Sequence, residues 1–190
     1  FDVVEASVIG TERMPKKLQE YDVVITGDVT NLDEKVISFL DAYINQGGHL
    51  LSTGFTSTRD GQGNQMNRIR MKSIGVEEKY DVFKQAKSTY LVISDKDKEA
   101  LGNNAFASHD LVMMYSDYLK CKVKPDATSY LKLLPQTMFG PPEKSYYLNA
   151  DITDYPGVVY YEYGKGRSVY IPWMLGAQYN FKGNIAHKKL

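Results

Sequence analysis

The stretch from Tyr21 to Thr53 constrains the fold more than any other part of the chain. Tyr21 to Thr26 is an almost continuous apolar run, which suits a strand buried on both faces of a parallel sheet. Asn31 or Asp33 can cap the element that follows by accepting bonds from its orphan backbone N–H groups. Val36, Ile37, Phe39, Leu40, Tyr43 and Ile44 then recur at helical spacing, giving one stripe to bury against the sheet. Gly47 ends this helix, and His49 to Thr53 reads as the next buried strand. Strand, helix and strand in close succession imply a right-handed parallel crossover. In an α/β enzyme, the sharp turn after such a strand is where a nucleophile is lifted and exposed. Here the turn offers Gly54, Phe55 and Thr56, with no cysteine and no Gly-x-Ser-x-Gly pattern, so the place for a catalytic residue is present without the residue.

The flanking sequence extends this unit on both sides. Phe1 to Val8 has the β-branched content of a strand, and Lys16 to Glu20 reads as a short helix. Arg59 to Asn67 is polar and glycine-containing, a mobile loop leading to a short helix through Ser73. Its Gly61-Gln62-Gly63 lacks the preceding strand and the Lys-Ser/Thr of a phosphate loop, so a surface loop is the better reading. From Tyr80 to Leu119 the pattern is mixed, with a strand at 88–94, a helical turn at 95–101 and an apolar segment at 110–116. From Tyr118 short alternating runs are divided by Pro125-Asp126, Pro135, Pro141-Pro142, Pro156-Gly157 and Gly164-Lys165-Gly166, the signature of antiparallel hairpins. The expected fold is therefore α/β: one unit over 1–190, with a parallel sheet, helices on both faces, and an antiparallel β-rich portion over 118–175.

Several function classes are disfavoured. Twenty-three basic residues balance 23 acidic ones, and Lys120, Lys122 and Lys124 alternate as a solvated strand face, so no nucleic-acid partner is expected. No run approaches a membrane span, so no membrane partner is expected either. The opening Phe1 reads as the start of a piece cut from a longer polypeptide. The lone Cys121 excludes an internal disulfide, and it lies in an alternating strand pattern away from any glycine-flanked turn. His49, His109 and His187 are scattered without metal-ligand spacing, so neither metal nor other cofactor is expected. Ser52, Thr56 and Ser57 have no histidine placed by motif to activate them. Fifteen Tyr, seven Phe and one Trp remain to be explained. Phe139, Tyr146, Tyr147 and Trp173 divide among core packing, subunit contact and stacking on a sugar. The loop from Met138 to Glu143 is the best surface candidate, because Pro141 and Pro142 fix its shape beside Glu143.

The series YDVVITGDVTNLDEKVISFLDAYINQGGHLLSTG, the later MFGPPEKSYY, and TDYPGVVYYEYGKGRSVYIPW together resemble the class I glutamine amidotransferase-like domain behind the catalytic barrel of family 42 β-galactosidases, where it is called the trimerisation domain. The resemblance runs from Phe1 to Tyr179 and implies a flavodoxin-like fold whose usual first strand and helix are absent. Active members of the wider superfamily carry a cysteine on the turn after the strand matched by His49 to Thr53, with a His and Glu from a later segment. Here the turn holds Gly54, Phe55 and Thr56, and the late segment reads Ile171-Pro172-Trp173-Met174-Leu175, so neither part carries over. The resemblance thus implies a non-catalytic accessory domain of a multidomain glycosidase-like protein. Its expected partners are its own catalytic barrel and neighbouring subunits, and the paired carboxylates of glycoside hydrolysis would lie in the barrel. The alternative is a carbohydrate-binding module using tyrosine-rich hairpins. Secretion or a periplasmic location follows from analogy alone, and the sequence leaves the compartment unknown.

Overall fold

A computed structural model of the chain describes residues 1–102, 106, 108–136, 141, 143 and 151–190. Its strands are β1 (Val24–Gly27), β2 (His49–Thr53), β3 (Val76–Val92), β4 (Leu111–Val123), β5 (Thr128–Leu134), β6 (Pro156–Tyr163) and β7 (Gly166–Ile171). They form one sheet in the order β1-β2-β7-β6-β5-β3-β4. β1, β2 and β7 run parallel, and every other pairing is antiparallel. Beyond β7 the chain turns back onto β4, where Leu119 N–H donates to Pro172 O at 2.9 Å and Tyr118 sits opposite Trp173. The mixed sheet is therefore curled into a half-barrel with flanking helices, a flavodoxin-like α/β arrangement. Register shifts in the long β3–β4 pair, with Gln85, Ser88 and Ser116 at positive φ, supply the local bending that such curvature needs.

Two apolar clusters lie on the two faces. The first joins Val36, Ile37, Leu40, Tyr43 and Ile44 of helix α1 (Glu34–Asn45) to Leu50, Leu119, Cys121, Val159 and Tyr170 of the sheet. The expected stripe is buried except for Phe39, which is only half-buried. Asp33 stands at the N-cap without a side-chain bond to the helix, and Gly47 follows the C-terminus at φ 119°. A side chain at Gly48 would overlap the Tyr43 ring, whose hydroxyl donates to Tyr21 O at 2.9 Å and accepts His49 N–H at 3.2 Å. On the other face, Leu91, Val112, Met114, Tyr118, Leu131, Leu133, Val158, Ile171 and Trp173 pack with residues from the remaining helices. Those helices are α2 (Asp95–Leu101), α3 (Leu175–Lys182) and α4 (Ile185–Lys189), which contribute Leu101, Leu175 and Ala186.

The hairpin expected at Gly164-Lys165 is present, with Tyr163 paired to Gly166 across a two-residue turn. The N-terminal expectations are corrected. Phe1 to Val8 forms no strand and contains only a 3₁₀ turn at Ala6–Val8, with Phe1 and Val3 open to solvent. The helix expected at Lys16 to Glu20 is a 3₁₀ turn at Leu18–Glu20. The one expected to end at Ser73 is a 3₁₀ turn at Lys72–Ile74, held by the Asp41 carboxylate accepting from Lys72 and Ser73 N–H. β1 begins only at Val24 and is an edge strand, so Val23 and Ile25 stay 49% and 67% exposed rather than buried on both faces.

Leu40 is fully buried at the middle of the α1 stripe. Leu40→Ala should therefore lower the unfolding free energy by about 2–5 kcal/mol, read as a drop in the urea midpoint without loss of a cooperative transition.

Candidate functional site

The turn after β2 is the place where this architecture could carry chemistry, and its geometry is set by contacts from three strands. β1 ends in Gly27 and Asp28, the latter at φ 56°, with Asp28 N–H donating to Thr53 O at 3.1 Å. This left-handed bend brings the Asp28 carboxylate over the turn, where Oδ1 accepts Phe55 N–H at 2.6 Å. Gly54 has φ 65°, and a side chain there would overlap the Asp28 carboxylate. Gly54 N–H donates to Ile171 O at 2.9 Å and Trp173 O at 3.1 Å, while its carbonyl accepts the Tyr170 hydroxyl at 2.7 Å. Thr56 Oγ1 donates back to Thr53 O at 2.9 Å, and Ser57 N–H donates to Val29 O at 3.1 Å. The turn is thus closed by an acid on one side and a tyrosine on the other.

Burial decides what these groups can do. Ser52, Thr56 and Ser57 are fully buried, so none presents a hydroxyl to a substrate. No imidazole reaches them. His49 opens β2 at the end opposite the turn, His109 Nδ1 lies 3.2 Å from Ser108 Oγ, and His187 Nε2 lies 2.6 Å from Met113 O. Burial raises the Asp28 carboxyl above its ordinary range, with the Phe55 N–H acting in the opposite direction. Burial also pushes Tyr170 far above the ordinary phenol value, so it serves as a neutral donor. The Cys121 thiol is pushed up to about 12 by burial, which keeps it unreactive as a thiolate. Among the described residues no group of three or more His, Cys, Asp and Glu side chains could hold a metal ion.

The loop expected to be mobile is instead tied down. The Asp60 carboxylate accepts from Gln62 N–H, Asn64 N–H and Asn64 Nδ2, and these bonds hold its pKa below the ordinary carboxylate value. Arg70, with a nearly buried side chain, donates to the carbonyls of Leu32 and Arg59 and pairs with Glu34 at 3.1 Å. These bonds fasten the loop to the start of α1, beside the turn.

Trp173, divided in expectation among core packing, subunit contact and sugar stacking, takes the core place: it is fully buried, and its Nε1–H donates to Gly157 O at 3.0 Å. Its ring centroid lies 5.5 Å from that of His187, so it anchors the second core and offers no open face. Pro141 and Glu143 are exposed. Phe139, Pro142, Tyr146 and Tyr147 lie outside the described residues. Sequence reasoning passed over Asp28 and Tyr170. The signal for Asp28 was its position directly after Gly27 at a strand end, where polar residues turn the chain. Tyr170 carried none, since alternation alone does not say which carbonyl a buried hydroxyl meets.

Replacing Gly54 by cysteine restores a thiol in name only. The positive φ and the overlap with Asp28 should cost Gly54→Cys about 2–4 kcal/mol, with part of the loss recovered in the Gly54→Cys/Asp28→Ala double variant, both read by urea denaturation. Asp28 also sets a pH dependence. With its folded pKa above the ordinary 3.8, the folded chain binds this proton more tightly than the unfolded one. Its contribution therefore becomes unfavourable as pH rises from the ordinary value through the raised one, and stays so above it. Asp28→Asn keeps an acceptor for Phe55 and should gain stability relative to the parent chain between about pH 3.5 and 7, measured as the difference between their unfolding free energies.

No family model matches the chain, and no curated protein matches it either. Solved structures share its fold. One is Gan42B, a GH42 beta-galactosidase from G. stearothermophilus, at 17% identity over 82% of this chain and 19% of that one, with a TM-score of 0.56. A second is alpha-L-fucosidase isoenzyme 2 from Paenibacillus thiaminolyticus, at 18% identity over 92% of this chain and 24% of that one, with a TM-score of 0.62. A third is a cytoplasmic protein from Salmonella typhimurium LT2, at 12% identity over 99% of this chain and 77% of that one, also with a TM-score of 0.62. At these identities the likeness is one of fold. The chain spans about a fifth of the beta-galactosidase and about a quarter of the fucosidase.

Proposed function

We propose that this chain is a non-catalytic accessory domain of a multidomain glycoside-hydrolase-like protein, acting in subunit assembly or in packing against a catalytic barrel. The observation that carries the reading is the closed turn after β2, where Asp28 occupies the space a side chain at position 54 would need. A domain that has kept the strand-turn scaffold while blocking its reactive position is suited to a structural role. The likeness to a minor part of two glycosidase chains supports the same reading. Its partners would be the barrel and neighbouring subunits, with Pro141 and Glu143, both exposed, as candidates for such contact. The carbohydrate-binding alternative is weakened by the burial of Trp173, the side chain with the largest face for a sugar.

Deleting this domain from the full-length parent should lower the oligomer mass by light scattering, or reduce barrel activity through lost packing. An unchanged mass together with unchanged activity would remove the proposal.

A further inference from the structure

Over residues 111–116, β4 pairs with β3 alone and forms an edge of the sheet. That stretch, Leu-Val-Met-Met-Tyr-Ser, holds neither a charge nor a proline, and Leu111 and Met113 are exposed. It therefore lacks the features that usually keep a strand edge from pairing with another chain. What covers it is the segment after β7. Gln178 Oε1 of α3 accepts Tyr115 N–H at 3.2 Å, and His187 Nε2 of α4 lies 2.6 Å from Met113 O. A carbonyl oxygen only accepts, so Nε2 carries the proton and donates. Two side chains thus occupy backbone groups that a neighbouring strand would otherwise take.

The hold of these helices is narrow. Gln178 is the one buried residue of α3, and α4 buries only Ala186 and His187, with Leu175 and Leu190 adding partly buried contact. Gln178 Nε2 and His187 Nδ1 are themselves buried without a hydrogen-bond partner among the described residues, which offsets part of what each anchor contributes. Helices of eight and five residues have little stability of their own. The pair belongs to the low-stability end of the molecule, able to lift away while the sheet stays intact.

We infer that α3 and α4 are a strap masking β4, and that lifting it opens residues 111–116 to antiparallel pairing with the same strand of a second copy of this chain. The inference goes beyond the assembly reading and stands without it. A second copy is the occupant this segment favours, because an uncharged row meets its own two-fold image with no like charges opposed within it. Each copy offers the other the backbone groups that Gln178 and His187 had covered.

Gln178→Ala/His187→Ala in the 190-residue chain should keep the β-sheet circular-dichroism signal and speed amide exchange at Tyr115 at least about tenfold. Its mass by light scattering should rise above that of the parent chain as concentration increases. The single Gln178→Ala, with the His187 bond intact, should move both readouts in the same direction. Adding Met113→Lys, at a site 43% exposed, should return the mass to the parent value, because a charge on the edge then opposes its own copy. The unmodified chain gives a measurement that needs no variant to fold: Tyr115 N–H should exchange at least about tenfold faster than the amides of β7. Equal protection at Tyr115 and β7 would overturn the inference. So would variants that associate no more than the parent, or an association untouched by Met113→Lys.

Discussion

The five-residue parallel ladder between β2 and β7, His49–Thr53 against Arg167–Ile171, holds the two halves of the molecule together. β7 is parallel to β2 on one side and antiparallel to β6 on the other, so the α/β unit near the N-terminus and the antiparallel strands share a single sheet through it. The same ladder aims Tyr170 and the carbonyls of Ile171 and Trp173 at Gly54. Segments more than a hundred residues apart thereby become one locked corner. The corner is held because Gly54 N–H, Gly54 O, Phe55 N–H and the Thr56 hydroxyl are all bonded within it, and removing the partner of a buried one would leave an unsatisfied group.

That corner leaves the turn after β2 without a projecting nucleophile. A reactive turn needs a side chain projecting into reach of a base, and an opening through which a substrate can arrive. The turn after β2 offers no such side chain among the described residues. Asp28 fills the projection, and Thr56 and Ser57 face inward. The Asp28 carboxyl is raised above its ordinary range by partial burial, while Oδ1 accepts Phe55 N–H and ties the turn to the end of β1.

How much was legible in the residues depended on how local the cause was. The α1 stripe and the hairpin at Gly164-Lys165 follow from spacing within a dozen residues, and both formed as expected apart from the half-buried Phe39. β1 looked like a strand covered on both sides because its apolar content is the same whether or not a neighbour exists; coverage is a property of what lies alongside. Phe1 to Val8 has strand-like composition but finds no partner, and composition alone supplies no hydrogen bonds. Trp173 was ambiguous for a related reason. An aromatic at the end of a hairpin strand serves a core or a surface equally well until the curl of the sheet encloses it.

The order of residues alone therefore established the crossover from β1 through α1 to β2, the hairpin of β6 and β7, and a turn without a cysteine; the expected hairpin around Pro125-Asp126 did not form, because β3 lies between β4 and β5. Each of these depends on neighbours along the chain. The curling of the sheet onto β4, the clamping of Gly54 by Asp28 and Tyr170, and the open edge at Ile25 came from the folded arrangement. These features depend on which distant groups meet, and pairing across long loops is governed by packing and backbone hydrogen bonding over the whole sheet.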